Sequence, residues 1–439
     1  MDKMKLPECL PVTERPDDGS RGLQRTGFRG LAPRRGAMLE RSMTSRRSFN
    51  RRSATTLLLT SIRGLKPTAT IKTSLREDLA KTDYHRPKTT EHPFNLFNPL
   101  APALQLMLLL ATTSCVCTLP GSRAVNRYEY QQPQMGLPFR IVLYARNPIQ
   151  AKTAANAAFH RIKELNDIMS DYDDESELSK LSRSSGQGRE VRVSDDLWTV
   201  LERAQALAVR SSGAFDVTVG PYVNLWRKAR RERKMPDPAR LAQARQAVGY
   251  THVMLNPKHH TVQLLAPDMR LDLGGIAKGY AVDEALKVLR RLGISRALVA
   301  GGGDMAVGDP PPGKSAWRIE LAPLDTTNAP PARFVRLSRA ALATSGDLFQ
   351  RLEIGGQRYS HIVDPHTGIG LTDHSLVSVI APDCITADSL TKVVSVLGPE
   401  KGIQFIENTP RVAARVMRQP GDKIEARESR RFGRFYDEK

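Results

Sequence analysis

The stretch that most constrains this chain is residues 270–283, Arg-Leu-Asp-Leu-Gly-Gly-Ile-Ala-Lys-Gly-Tyr-Ala-Val-Asp. Leu271 and Leu273 alternate with Asp272, the pattern of a short half-buried strand, and Gly274 and Gly275 end it. From Ile276 the apolar spacing becomes helical, through Ala277, Tyr280, Ala281, Leu286 and Leu289, with Gly293 as a stop. A second strand over residues 296–300 runs into Gly301, Gly302, Gly303 and Asp304. The unit is strand, glycine turn, helix, strand. Such a turn presents unpaired N–H groups and the positive end of a helix dipole, about half a charge, and so suits phosphate. Its spacing is neither G-x-G-x-x-G nor a Walker loop, so neither a Rossmann nor a P-loop assignment is licensed. The plain alternative is a tight turn before a buried helix.

The globular part is expected over residues 128–430. Residues 139–144 have strand character, and residues 149–169 form an amphipathic helix with Ala154, Ala158, Ile162 and Leu165 on one side. A helix over 195–210 is capped by Ser194. Residues 211–221 are a loop, and 224–248 a basic helical region broken by Pro236 and Pro238. Residues 253–255 and 262–265 suggest a hairpin. Further strands are expected at 317–321, 334–337, 341–345, 376–381 and 412–418, and helices at 386–397 and 402–408. Helices and strands mix without strict alternation, which argues for an α+β fold in a single globular unit.

Net charge is +20, which invites a nucleic-acid reading. Residues 1–100, however, carry 20 Lys and Arg against 10 Asp and Glu, half of that excess. Aromatics are 6%, and no helix-turn-helix, zinc-finger or RNA-binding signature appears, so no nucleic-acid partner is expected. Residues 1–100, rich in Arg, Ser, Thr and Pro, have the composition of a disordered basic extension. Within them Arg46 and Arg47, ahead of a short apolar run, faintly resemble a twin-arginine export signal. Residues 101–120 differ. Their apolar run of about a dozen residues is too short to span a bilayer and matches a signal-peptide core. It ends Thr112-Thr113-Ser114-Cys115, similar to a bacterial lipoprotein cleavage site that would leave a lipid on Cys115, although Thr112 stands where Leu is usual. The expectation is export to the periplasmic face of a bacterial inner membrane. The four cysteines, Cys9, Cys115, Cys117 and Cys384, contain no metal-type C-x-x-C pair.

Five polar or glycine-rich segments flank apolar elements: Gly213 to Pro221, Leu271 to Asp283, Thr344 to Asp347, His361 to Gly368, and Ile385 to Lys392. In that order, with Met169, Asp171, Tyr172 and Ser176-Glu177-Leu178, they resemble the ApbE-type FAD:protein FMN transferases over about 300 residues. The resemblance implies transfer of FMN from FAD to a Thr or Ser hydroxyl of an acceptor protein, with AMP leaving. Alternatives are a flavin-binding protein without transfer activity, or hydrolysis of FAD to FMN and AMP.

Breaking a pyrophosphate beside a hydroxyl requires charge neutralisation and a proton acceptor. The resemblance implies Mg²⁺ for the first, held by the carbonyl of Ala277, the carboxylate of Asp388 and a hydroxyl in the following helix. The sequence departs there. The family's usual Thr, four residues after the Asp, is Lys392; Thr391 is the nearest substitute, or the Lys392 ammonium lies directly on the phosphates. His361 is the candidate proton acceptor, oriented by a carboxylate such as Asp364, unless it is a structural strand-end residue. Ala214, Phe215 and Asp216 are expected to line the FAD site; the alternative buries Phe215 in the core and uses Asp216 to cap a turn. Lys278 is expected on a phosphate or, alternatively, on a solvated helix face. Met169 and Asp272 are further contacts, and His366 is a solvated turn residue.

Overall fold

The computed structural model describes residues 124–324, 332–347, 351–420 and 423–437. The leader 1–100, the apolar segment 101–120 with Cys115, and the twin-arginine motif lie outside the described residues. A hairpin of β1 (Asn126–Gln134) and β2 (Leu137–Ala145) comes first. α1 (Pro148–Met169) follows, capped by Asn147, whose side chain accepts from Gln150 N, and buried along Ala154, Ala158, Ile162 and Leu165. α2 (Glu177–Ser182) and β3 (Val191–Arg192) lead to α3 (Asp195–Arg210), which Ser194 caps. The basic region resolves into two helices, α4 (Gly220–Glu232) and α5 (Pro238–Gln246). The expected hairpin is β4 (Val253–Asn256) with β5 (Thr261–Leu264), and β3 pairs with β5.

After α6 (Ala277–Arg291) come β6 (Ala297–Gly301), β7 (Asp304–Val307), β8 (Trp317–Glu320), β9 (Phe334–Leu337) and β10 (Ala340–Gly346). A hairpin of β11 (Arg351–Ile354) and β12 (Gln357–Ser360) precedes β13 (Ser375–Ala381). α7 (Cys384–Glu407), β14 (Ala413–Arg418) and β15 (Glu425–Glu428) complete the order. α7 is broken at Gly398, whose backbone is non-helical (φ 76°, ψ 175°) ahead of Pro399, so the two helices expected over 386–397 and 402–408 are both present and abut at that break.

Eight strands form one antiparallel sheet in the order β1-β2-β6-β7-β10-β13-β14-β15. Its centre is buried on both faces, which explains why β6, Ala-Leu-Val-Ala-Gly, is apolar throughout. Phe139, Ile141, Val299 and Val379 point into the layer of α1, α6 and α7. Their neighbours Val142, Leu298 and Ile380 point the other way, onto Trp317, Val335 and Phe432 of the β8–β9 hairpin and the C-terminal segment. The fold is α+β, as expected. One expected strand is absent. Residues 271–273 form no ladder; Arg270 makes an isolated parallel bridge to Val219, and Asp272 N donates to Val217 O at 2.8 Å. These backbone contacts pin the segment to the loop before α4, and the Asp272 side chain bonds Arg227 within α4.

α6 and α7 meet at a close joint. A Cβ on Gly279 would stand 2.4 Å from the carbonyl oxygen of Cys384, so only glycine permits this approach. The helices then cap each other. Asp283 on α6 accepts from Cys384 N (2.8 Å) and Ile385 N (2.9 Å) at the start of α7. Asp388 on α7 accepts from Gly279 N (3.1 Å) in the first turn of α6, which has no side-chain cap of its own.

Two outcomes are expected. Gly279→Ala should lower stability by about 1–3 kcal/mol through overpacking, read as a reduced denaturation midpoint in urea. Burial pushes the Asp283 carboxyl up to about 7 against the pull of its two N–H bonds. The unfolded chain releases that proton near pH ~4, so stability should fall as pH rises from there to about 7. Asp283→Asn, which cannot ionise, should flatten that part of the stability–pH curve; an unchanged slope would assign the dependence to another group.

Candidate active site

A cavity of about 800 Å³ opens where the glycine turn before α6, the loop before α4, the end of α1, the β6–β7 turn, the end of β10 and the segment after β12 converge. That is within the usual range for a small-molecule site. Met169, Ala214, Phe215, Asp216, Asp272, Ala277, Lys278 and His361 all line it, and so do Asp304, Thr344, Ser345 and Lys392. Residues as far apart in sequence as Met169 and Lys392, 223 positions, therefore share one wall.

Its polar end is a cluster of two carboxylates and two ammonium groups. Asp304 opens β7 and Asp388 sits in α7; the first is 2% and the second 0% exposed. Lys278 Nζ lies 3.1 Å from Asp304 Oδ2, 3.3 Å from Asp388 Oδ2 and 3.0 Å from Gly274 O. Lys392 Nζ donates to Asp388 Oδ1 from one turn further along the same helix. Burial alone would raise the Asp388 carboxyl, but Lys278 and Lys392 outweigh it and hold the pKa below the ordinary value. Asp304 goes the other way: burial, then the charge of Asp388, raises it more than Lys278 lowers it. Burial would lower Lys278, yet Asp304 and Asp388 raise it well above the ordinary lysine value, so it stays charged.

The second polar group lies beside the end of α1. Arg227 of α4 donates to Asp171 (2.5 Å) and Asp272 (3.4 Å), and its guanidinium stacks 4.1 Å from the ring of the exposed Tyr172. Burial and the neighbouring Asp171 raise the Asp272 carboxyl. Asp272 Oδ1 also accepts from Gly274 N at 2.8 Å, fixing the glycine turn.

Several expected roles change on this geometry. Asp216 borders the cavity but its oxygens are committed: Oδ1 accepts from Thr218 N and Oγ1 (2.8 and 2.7 Å), Oδ2 from Tyr250 N (2.8 Å). Its bonds are those of a turn cap, and burial raises its pKa despite them. Asp388 lies behind Lys278 and Lys392 and does not line the cavity. Thr391, the expected substitute ligand, is fully buried, and its hydroxyl donates to the Asp388 carbonyl at 2.6 Å. Of the three expected Mg²⁺ ligands, Ala277 lines the cavity, whereas Asp388 and Thr391 lie behind its wall.

His361 reaches the cavity at the end of β12, held by Ser360 N donating to Leu371 O (2.7 Å) and Leu371 N to Ile362 O (2.9 Å). The expected orienting carboxylate, Asp364, serves its own turn instead: it accepts from His366 N (2.9 Å) and Thr367 Oγ1 (3.1 Å) and meets His366 Nδ1 at 3.1 Å. His366 is more than a solvated turn residue. Its Nε2 meets Ser212 O at 2.9 Å, tying this turn to the loop before α4; that carbonyl, then Asp364, raises its pKa against burial. Trp226 Nε1 donates to Gly368 O (2.9 Å) and anchors the same turn to α4.

Sequence reasoning gave no site role to Asp304 or Arg227. Asp304 directly follows three glycines, a signal that was available; Arg227 sat among seven other Lys and Arg of the 224–248 region and carried none.

The geometry agrees with the comparisons to known proteins. The ApbE family model matches residues 135–416. Among relatives, the FAD:protein FMN transferase of Haemophilus influenzae is 34% identical over 253 residues, 56% of this chain and 73% of that one. That of Vibrio cholerae is 32% identical over 304 residues, 68% and 90% of the two chains. Among solved structures, the flavin transferase ApbE from Vibrio cholerae superposes with a TM-score of 0.63 at 28% identity, covering 71% of this chain and 99% of that one. The ApbE protein of Thermotoga maritima gives 0.63 at 27%, covering 71% and 100%. With the match running from the turn between β1 and β2 into β14, through every segment that walls the cavity, the chain belongs to the ApbE family.

Proposed function

We propose that this chain is a transferase that moves FMN from FAD onto a Thr or Ser hydroxyl of an acceptor protein and releases AMP. The observation that carries the reading is the convergence of Phe215, Lys278, His361 and Lys392 on one cavity of about 800 Å³. The pyrophosphate belongs at the lysine end, beside the glycine turn, where Lys278 and Lys392 line the cavity. The acceptor oxygen attacks the phosphorus on the FMN side, and a new P–O bond forms. The bond from that phosphorus to the bridging oxygen breaks, and AMP leaves with the bridging oxygen. His361, on the wall of the cavity, takes the hydroxyl proton. The transition state spreads charge over the phosphoryl oxygens, so fixed cations beside them supply most of what the protein can contribute.

Mg²⁺ is the ion that the family resemblance implies. The residues present do not suit it as expected, because Asp388 is enclosed and Thr391 bonds its own helix. Export belongs to the same proposal, with lipid on Cys115 holding the mature chain at the membrane and a flavin-bearing partner within reach. Intact mass of the mature protein tests it: a diacylglyceryl adduct on a chain beginning at Cys115 supports it, and an unprocessed chain overturns it.

The transfer reading is tested with FAD and a candidate acceptor. A fluorescent acceptor band with matching AMP release is expected. AMP release without a labelled acceptor would mean that water takes the place of the hydroxyl, and bound FAD without AMP would mean a flavin-binding protein. His361→Ala should slow transfer by about 100-fold or more while leaving the FAD dissociation constant little changed. Equal losses in both would give His361 a positioning role instead.

A further inference from the structure

We infer that the Lys392 ammonium occupies the cation position of this site, so that the chain handles the FAD pyrophosphate with two lysines and needs no divalent metal ion. The inference rests on the flavin-transfer reading above. Four observations carry it.

Lys392 stands one helical turn after Asp388, where a side chain shares that carboxylate's face. Its stem runs over the glycine turn: a Cβ on Gly275 would stand 3.4 Å from Lys392 Cγ and 3.6 Å from Cε. The lysine is thus seated in the cavity wall, with 16% of its side chain exposed.

The carboxylate it meets has no face left for an ion. Asp388 is closed from the cavity; Oδ1 takes Lys392, and Oδ2 takes Gly279 N at 3.1 Å and Lys278 at 3.3 Å. A Mg²⁺ ion requires oxygen ligands in a near-octahedral shell at about 2.0–2.1 Å. Entering here, it would have to expel an ammonium group from a buried carboxylate.

The charges already balance. Asp304 and Asp388 face Lys278 and Lys392, two against two. With Thr at position 392 the same cluster would carry one uncompensated negative charge, and a divalent cation would be drawn in. One residue therefore exchanges both a ligand and the need for the ion.

The two lysines also differ in what they can still give. An ammonium has three N–H donors. Those of Lys278 face Gly274 O, Asp304 and Asp388. Among the described residues Lys392 Nζ meets only Asp388, which leaves two donors for phosphate oxygens. Lys278 holds the cluster together, and Lys392 is the lysine that touches substrate.

The test uses the wild-type chain and Lys392→Thr, in excess EDTA and in excess Mg²⁺, with two readouts. The first is binding of Mn²⁺ alone, without FAD, by calorimetry or electron paramagnetic resonance. The second is FAD affinity together with AMP release. Wild type should bind no Mn²⁺ at this site, and its FAD affinity and AMP release should change less than about threefold between EDTA and Mg²⁺, against the orders of magnitude that an essential metal contributes. Lys392→Thr should acquire Mn²⁺ binding, lose FAD affinity in EDTA and regain it with Mg²⁺. AMP release by wild type that collapses in EDTA and returns with Mg²⁺, or Mn²⁺ binding by wild type that Asp388→Ala removes, overturns the inference and leaves the transfer reading standing. Metal-insensitive FAD binding with no AMP release under any condition sinks the transfer reading while the cation assignment stands. The wild-type arm needs no variant, so a Lys392→Thr chain that fails to fold does not rescue the idea.

Discussion

The site depends on two carboxylates enclosed at the joint of α6 and α7. A buried charge without a partner costs several kcal/mol, and removing one partner of a buried pair typically costs about 3–5 kcal/mol. Asp304 and Asp388 are tolerated only because Lys278 and Lys392 reach them. That reach requires the helices to lie close, and Gly279 permits it. Asp388 does two jobs with one group, since it ends the unsatisfied backbone at the start of α6 and gathers both ammonium groups. The geometry of the polar end is set by helix packing as much as by the loops around it.

The sheet explains why so many distant segments arrive at one place. Its central strands are buried on both faces, by the helical layer on one side and the β8–β9 hairpin on the other. Strand ends, turns and the helix faces beside them are left to carry chemistry, with Lys392 on α7 and Arg227 on α4 joining the loops around the cavity. The end of β10, the β6–β7 turn and the glycine turn before α6 open onto the same cavity. Arg227 closes the wall near α1: it bonds Asp171 and Asp272, and Asp272 in turn fixes the glycine turn through Gly274 N. The glycine turn is therefore tied to α1 and α4 as well as to α6.

Much of this was legible in residue order. The amphipathic stripe of α1, the Ser194 cap of α3, the 253–264 hairpin and the helix after the glycine turn all follow from periodicity and turn chemistry. Residues 271–273 show the limit: the same alternation fits a strand or an extended loop, and only the distant partners Val217 and Arg227 decide between them. For Asp216 the turn cap on Thr218 was one of the two readings offered, but its bond from Tyr250 N was not legible, because Tyr250 lies 34 residues away. Thr391 illustrates a different limit. On a helix, the fourth residue after Asp388 shares its face, and Lys392 holds that position. A Thr in the position before it is free to bond back along its own helix, as this one does.

A lysine in the cation position changes what kind of catalyst such a site can be. A metal ion has to be captured, and in exchange it offers two charges and several coordination positions. A tethered ammonium is always present, but it brings one charge and no fixed coordination geometry. Its phosphate contacts must then be oriented by packing, and the seat of the Lys392 stem over Gly275 supplies that orientation. The neutral cluster also means that an arriving pyrophosphate meets cations already shared with Asp304 and Asp388. Binding must redistribute those pairs rather than add to them, and the lysine with unused donors, Lys392, is the one free to move toward substrate without stripping the buried carboxylates of both partners.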